Sequence, residues 1–140
     1  MLKKMLRGKI QILSEIENWE ESIRIGSKPL LEKKLIEQTY VDKMIEKVKK
    51  FGFYVVLTEN VAMPHSRPED GVNETGMSLL KVDNPVKFGD SHINLIFVLA
   101  AKDNNSHIDA LTNLVELLND EKKVEEVIKA KSEEEILNLI

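Results

Sequence analysis

The sequence predicts a β-sheet covered by helices, in the α/β or α+β class, because helical patterns occupy both ends of the chain and strand patterns its middle. The clearest strand patterns are Met77–Val82 and Ile93–Ala101, and the second is apolar enough to be covered on both faces. The 140 residues contain no internal repeat, low-complexity tract or linker, so we expect a single domain over residues 1–140.

The first third of the chain has helix signals. Residues 10–14 have the pattern of a short strand or a docked arm. Asn18 is placed as an N-cap, with Glu21 at the third helical position. Gly26 and Pro29 are expected to kink or break the helix that follows, because proline cannot donate a backbone hydrogen bond.

A second helix and the first strands follow. Thr39–Asp42 is a capping-box pattern, and Gly52 is placed to end that helix. Phe53–Leu57 has the composition of a buried strand. Val61–Met63 predicts a short strand that stops before Pro64, since a residue preceding proline is pushed away from helical backbone angles.

Helical patterns return near the C-terminus. Ser106–Asp109 predicts a capping box, which places Ser106 as the cap of a helix. The apolar face of that helix would consist of Ile108, Leu111, Val115 and Leu118. Two shorter helices are expected after Asp120 and Ser132, each of which is an N-capping residue type.

Composition excludes several classes of protein. The net charge is −4 with a pI near 5.5, which argues against nucleic acid as a partner. The chain has no cysteine, so disulfides, thiolate metal sites and cysteine nucleophiles are excluded, as suits a reducing cytoplasm. No apolar run approaches the roughly 20 residues that a membrane span needs. The sequence also lacks a GxxxxGK[ST] loop, a GxSxG elbow and an HExxH motif.

The remaining chemistry depends on histidine. An imidazole nitrogen is nucleophilic near pH 7 and can attack phosphorus to form a covalent phosphoramidate. His65 follows a predicted strand and precedes an irregular segment, where functional side chains are often displayed. Arg67 would pair with phosphoryl oxygens, and Ser66 would donate hydrogen bonds to them. The alternative is a surface-loop histidine without a role.

The other two histidines have different settings. His107 is expected in the first turn of a helix, where the helix dipole disfavours imidazolium and the backbone N–H groups near Ser106 suit an anion. A neutral His107 would donate a hydrogen bond to a phosphoryl group, although an ordinary surface contact is the alternative. His92 lies in a predicted turn, and we expect no function for it.

Five segments occur in a distinctive order and spacing, namely Asn18–Arg24, Tyr40–Ile45, Val61–Val72, Asn84–Gly89 and Leu99–Leu111. Through them the sequence resembles the mannitol/fructose-type enzyme IIA superfamily of the sugar phosphotransferase system, over roughly residues 15–140. The segment Asn84–Gly89 matches the family's "pro-val-x-phe-gly" turn. The Met-Pro-His-x-Arg-Pro-Glu-x-Gly form of the motif around His65 is most similar to the ascorbate branch.

The resemblance implies a fold, a reaction and partners. The fold would be a mixed β-sheet sandwiched between helices in three layers. His65 would receive the phosphoryl group from the phosphocarrier protein HPr, and His107 would stabilise it, with Ser66, Arg67 and Ser106 as further contacts. The next acceptor would be a cysteine of enzyme IIB, and a membrane enzyme IIC would take up ascorbate or a related carbohydrate. Neither a cofactor nor a metal is implied, and the oligomeric state stays open, a dimer included.

One departure near the expected active site and two alternative functions accompany this resemblance. Mannitol-type relatives have an active-site arginine in the second helix, where this chain has Glu46–Lys50 without any arginine. A regulatory protein that signals by binding is the first alternative. The second is a metal-binding module that uses His65 and His107, which lacks an evident carboxylate ligand.

Overall fold

The computed structural model describes residues 1–103, 105 and 107–140. The described part of the chain forms six α-helices and five strands. In chain order they are α1 (Leu2–Leu6), β1 (Ile10–Leu13), α2 (Trp19–Glu32), α3 (Gln38–Phe51), β2 (Val56–Thr58), β3 (Asn60–Ala62), β4 (Gly76–Phe88), β5 (Ser91–Ala100), α4 (Ile108–Leu118), α5 (Glu121–Lys129) and α6 (Glu133–Leu139). A short 3-10 helix, Pro68–Asp70, lies between β3 and β4.

The strands form one mixed sheet in the order β1-β4-β5-β3-β2. The pairs β1–β4 and β3–β5 are parallel, whereas β4–β5 and β2–β3 are antiparallel. The sheet centre is the long hairpin of β4 and β5, which turns at Gly89 and Asp90. The parallel pairing of β3 with β5 brings the carboxyl ends of these two strands to one edge of the sheet.

Two apolar cores lie on opposite faces of the sheet. Helices α2 and α3 cover one face, and α1, α4, α5 and α6 cover the other. Strand β5 alternates between them, since Ile96 and Val98 enter the first core while Leu95 and Phe97 enter the second. This confirms the predicted mixed sheet between helical layers, and it explains why β5 is apolar on both faces.

Helix α2 begins as predicted but is not broken. The Asn18 side chain accepts a hydrogen bond from the Glu21 N–H at 2.9 Å. The expected break at Gly26 or Pro29 is wrong, because α2 continues through both residues to Glu32. Proline leaves the Ile25 carbonyl without its helical donor. The side-chain amide of Gln11 donates to that carbonyl at 2.7 Å, which compensates for the missing bond.

Three further expectations about local structure are corrected. Helix α3 begins at Gln38 with Glu37 at the N-cap, so Thr39 is not its cap. Phe53–Leu57 is not a buried strand, because β2 begins only at Val56 and is largely exposed. The segment Asn84–Phe88 is the end of β4 and not a turn. An irregularity in the pairing lies there, where the Asn94 side chain donates to the carbonyls of Val82 and Asp83.

The C-terminal helices agree with the sequence except for one face. The side chains of Asp120 and Ser132 cap α5 and α6 as expected. Helix α4 buries Ala110, Leu114 and Leu117. Of the predicted apolar face, Leu111 and Leu118 pack against the second core, whereas Ile108 and Val115 are exposed, so the prediction is wrong for these two residues. Among the described residues, no helix is long and apolar enough to cross a membrane.

Candidate active site

Two loops that carry histidines leave the sheet at the same edge. His65 follows β3 by three residues, and His107 follows β5 and precedes α4. The Leu99 N–H donates to the Pro64 carbonyl at 3.1 Å, which extends the β3–β5 pairing up to the residue before His65. The topology therefore places both predicted histidine segments at the carboxyl end of one parallel strand pair.

The ring of His65 has a defined orientation. Its Nδ1 lies 2.8 Å from the carbonyl oxygen of Met63. The ring of Tyr54 packs edge-on against it, with centroids 6.0 Å apart. A carbonyl only accepts hydrogen bonds, so Nδ1 must carry the proton in this contact. The neutral ring then presents Nε2, with its lone pair, as the nucleophilic atom.

Asp70 organises the backbone that follows His65. Its Oδ2 accepts hydrogen bonds from the Ser66 hydroxyl at 2.5 Å, the Lys47 ammonium at 3.0 Å and the Arg67 N–H at 3.2 Å. The Ser66 hydrogen bond and then the Lys47 contact lower the pKa of the Asp70 carboxyl to about 2. Asp70 is therefore ionised at neutral pH and closes the loop into a compact turn.

Tyr40 connects this loop to the sheet. The phenol of Tyr40 is buried and donates to the Leu99 carbonyl at 2.6 Å. Its oxygen also accepts from the Ser66 N–H at 2.9 Å. Burial raises the pKa of Tyr40 to about 12, so the phenol keeps its proton throughout the neutral range. Helix α3 thus holds the His65 loop at two points, through Tyr40 and through Lys47.

Gly71 lets the loop pass closely over the start of α3. Its φ of +137° is a conformation that side chains with a Cβ rarely adopt. A Cβ there would lie 2.8 Å from Thr39 Oγ1 and 3.0 Å from the Tyr40 nitrogen. The Gly71 carbonyl accepts from the Glu37 N–H at 2.8 Å, which satisfies a donor at the N-terminus of α3.

Ser66 and Arg67 both follow His65 in the chain, but of these two only Arg67 has side-chain donors that no described residue engages and that are free to bind a phosphoryl group. Both donors of Ser66 are engaged, the hydroxyl by Asp70 and the N–H by Tyr40. Arg67 is exposed and lines a surface groove together with Lys43, Lys47 and Lys50 of α3. Their contacts with a phosphoryl group stay predictions, and for Ser66 such a contact requires the hydroxyl to leave Asp70.

His107 is the N-cap residue of α4, one position before the predicted first turn. Among the described residues, the Nδ1 of His107 is buried without a hydrogen-bond partner. A buried unpaired nitrogen is costly, and such groups often mark functional positions. The predicted contact from Ser106 lies outside the described residues. Within the described ranges, no three His, Cys, Asp or Glu side chains cluster as metal ligands.

Sequence reasoning missed the residues that hold the loop, namely Tyr40, Lys47 and Asp70. For Tyr40 the sequence did contain an indication. The residue lies beside the apolar positions of a predicted helix, and a buried tyrosine needs a hydrogen-bond partner for its hydroxyl. The identity of that partner depends on the β3–β5 register, which the sequence pattern does not encode. Asp70 follows Ser66 by four residues in a turn-rich segment, and such side chains often accept from nearby backbone N–H groups.

A family model and individual relatives assign the chain to the same family. Residues 5–140 match the family described as "Phosphoenolpyruvate-dependent sugar phosphotransferase system, EIIA 2". The ascorbate-specific PTS system EIIA component of Escherichia coli (strain K12) is 33% identical over 135 residues, which span 94% of this chain and 88% of that protein.

Solved structures agree with this fold. The solution structure of the mannitol-specific cryptic phosphotransferase enzyme IIA from Escherichia coli is 34% identical, with a TM-score of 0.90 over 99% of this chain and 96% of that one. The mannitol enzyme IIA in a complex with phosphorylated enzyme IIB, also from Escherichia coli, is 30% identical. Its TM-score is 0.80 over 94% of this chain and 92% of that one.

Proposed function

Because the chain belongs to the EIIA 2 family of the phosphoenolpyruvate-dependent sugar phosphotransferase system, we propose that it carries a phosphoryl group on His65. The donor is phospho-HPr, and the acceptor is a cysteine of enzyme IIB. The observation that carries the proposal is the contact of His65 Nδ1 with the Met63 carbonyl, which leaves Nε2 free to attack phosphorus. The protein acts in the cytoplasm, where both partners are available.

The first step is an in-line displacement at phosphorus. The Nε2 lone pair forms the new N–P bond while the N–P bond of the donor breaks, and its electron pair returns to the donor imidazole. His65 keeps the proton on Nδ1, so the phosphorylated ring carries a positive charge. The Met63 carbonyl, 2.8 Å from Nδ1, stabilises that charge by accepting the hydrogen bond.

The second step reverses the roles of the atoms. A thiolate of enzyme IIB attacks phosphorus, the S–P bond forms, and the N–P bond to Nε2 breaks. The electron pair returns to Nε2, and the ring leaves as neutral imidazole because Nδ1 has kept its proton. No proton transfer is needed in either step, so catalysis depends on orientation and on donors to the phosphoryl oxygens.

Several groups are suited to that stabilising role. His107 has a buried Nδ1 without a partner among the described residues, and it stands at the N-terminus of α4, where backbone N–H groups favour an anion. Arg67 is exposed beside His65 and offers a guanidinium for bidentate contact. Ser66 contributes once its hydroxyl exchanges Asp70 for a phosphoryl oxygen, and Ser106 completes the proposed set.

The proposed carbohydrate is ascorbate or a relative of it. The motif around His65 is of the ascorbate type, and an ascorbate-specific component is 33% identical to this chain. The mannitol-specific cryptic enzyme IIA is similar to nearly the same degree, at 34%. Uptake assays with the cognate IIB and IIC, with ascorbate and mannitol as substrates, distinguish the two sugars.

The test of the carrier function is phosphorylation in a reconstituted system. We would incubate the protein with phosphoenolpyruvate, enzyme I and HPr, then measure its intact mass and the acid lability of any added group. The wild type should gain one acid-labile phosphoryl group, His65→Ala none, and His92→Ala the same as the wild type, since His92 is exposed on β5. Full phosphorylation of His65→Ala would refute the site. No gain in the wild type, with HPr itself phosphorylated, would favour a regulatory protein that signals by binding.

A further inference from the structure

The β3–β5 pairing continues beyond the strands themselves. Ala62 pairs with Ile96 in the parallel register. Continuing this register by three residues along both strands sets His65 opposite Leu99. In a parallel ladder, one residue bonds through both its N–H and its C=O to the two residues that flank its partner. Leu99 should therefore donate to the Pro64 carbonyl and accept from the Ser66 N–H.

Only the first of these two bonds is direct. The Leu99 N–H donates to the Pro64 carbonyl at 3.1 Å. In place of the second bond, the phenol oxygen of Tyr40 lies between the two groups. It accepts from the Ser66 N–H at 2.9 Å and donates to the Leu99 carbonyl at 2.6 Å. The Ser66 carbonyl is farther from the phenol, at 3.4 Å, so the proton is directed to Leu99.

We infer that Tyr40 is a positioning residue for the phosphoacceptor, because its hydroxyl replaces the last rung of the ladder and fixes the peptide that follows His65 away from β5. This inference rests on the proposed function of His65. The Tyr40 hydroxyl replaces one direct backbone hydrogen bond by two hydrogen bonds, one to Ser66 and one to Leu99. Ser66 therefore lies farther from Leu99 than direct pairing allows. The segments that extend β3 and β5 separate at His65, which displays the His65 side chain at the edge of the sheet.

The surroundings of the phenol make this arrangement specific. Tyr40 is fully buried on α3, and its pKa of about 12 keeps it a hydrogen-bond donor throughout the neutral range. The same helix contributes Lys47, whose contact with Asp70 fixes the far side of the turn that contains Ser66. The backbone on the C-terminal side of His65 is thus held by one helix at two separate points.

The decisive variant is Tyr40→Phe, which keeps the ring and removes the hydroxyl. Either the Ser66 N–H moves onto the Leu99 carbonyl, or both groups lose their partner, and His65 is displaced in both cases. We expect kcat for phosphoryl acceptance from phospho-HPr to fall on the order of ten- to a hundredfold, as small misplacements of reacting groups do. KM for the donor should stay within about twofold, because docking does not involve the buried phenol.

A matched control separates positioning from simple loss of stability. Ser78→Ala also removes a buried hydroxyl that donates to a backbone carbonyl, that of Gly26 at 2.6 Å. Ser78 lies on β4, which β5 separates from β3. Its kcat should equal that of the wild type. A Tyr40→Phe protein that transfers as fast as Ser78→Ala would overturn the inference.

Two NMR measurements keep the test independent of the carrier activity. In the wild type, the Tyr40 hydroxyl proton should exchange slowly and give a nuclear Overhauser effect to the Ser66 amide proton. Absence of that contact would overturn the inference even if Tyr40→Phe did not fold. The ring ¹⁵N shifts of His65 should change in Tyr40→Phe and not in Ser78→Ala. These ¹⁵N shifts test the inference even if the wild type accepts no phosphoryl group. That outcome would refute the proposed function but not the positioning role of Tyr40.

Discussion

The Nδ1 atom of His65 lies 2.8 Å from the carbonyl oxygen of Met63, two residues earlier in the chain. This contact fixes the tautomer, because a carbonyl has no proton to give. We therefore predict that phosphorylation occurs at Nε2. The measurement is ¹⁵N NMR of the phosphorylated protein, in which the phosphorus coupling should appear on Nε2 alone. Coupling to Nδ1 would contradict the assignment and would require the ring to rotate before reaction.

His107 should affect transfer more than folding. Its side chain makes no capping hydrogen bond to α4, so removal of the ring deprives the helix of no such contact. We expect His107→Ala to lower the rate of phosphoryl transfer on the order of a hundredfold, the usual cost of losing one donor to a developing anion. Single-turnover kinetics would measure the rate, and circular dichroism would check the fold. An unchanged rate would remove His107 from the site.

The layers of the fold could be predicted from the sequence. The sequence also predicted that His65 follows a strand and that His107 lies at the start of a helix. Apolar periodicity and capping side chains are local, so Asn18, Asp120 and Ser132 could be assigned as caps without knowledge of the tertiary structure. The apolar pattern of β5 likewise predicted burial on both faces. These features depend on residues within a few positions of one another.

The errors lie where distant parts of the chain meet. Pro29 does not break α2 because Gln11, eighteen residues earlier, supplies the donor that the helix lacks. The Tyr40 phenol acts on the His65 loop because α3 packs against the β3–β5 pair, and only the three-dimensional register reveals that. The exposed Ile108 on α4 misled the choice of face, since a short apolar pattern does not distinguish a core contact from an exposed one.

Ionised Asp70 should contribute to stability in a pH-dependent way. Its pKa is lowered from 3.8 to about 2, first by the Ser66 hydrogen bond and then by Lys47. A carboxyl with a lower pKa in the folded state stabilises the protein above pH 4, and this contribution is lost as the pH falls through 2. We expect Asp70→Asn to lower the free energy of unfolding on the order of 1 kcal/mol at pH 7, allowing for solvent screening.

Urea denaturation between pH 7 and pH 2 would test this prediction. The difference between wild type and Asp70→Asn should shrink as the pH falls from 4 to 2. Asp90→Asn serves as the control, because Asp90 is exposed in the turn between β4 and β5 and its replacement should cost little. A constant difference across the whole range would show that the carboxylate charge is not what stabilises the loop.

Lys81 provides a stability test remote from the proposed site. Its side chain is 1% exposed within β4, and its ammonium contacts Asp83 at 2.5 Å and the Ala130 carbonyl at 2.8 Å. Lys81→Met keeps the buried stem and removes the donor. Asp83 is half exposed and can be hydrated again, whereas the Ala130 carbonyl loses a buried partner. We expect a loss on the order of 2 kcal/mol in the free energy of unfolding.

Lys81→Met changes two opposing contributions to stability, the hydrogen bond to Ala130 and the desolvation of the ammonium. Lys81→Met removes a buried charge together with its desolvation cost, and the Asp83 carboxylate that remains is half exposed to water. Lys87→Met on the exposed face of the same strand controls for the change in net charge. If Lys81→Met is as stable as Lys87→Met, the ammonium is not needed to hold the end of α5 against β4. If it is less stable by the expected amount, the hydrogen bond to Ala130 fastens α5 to the sheet.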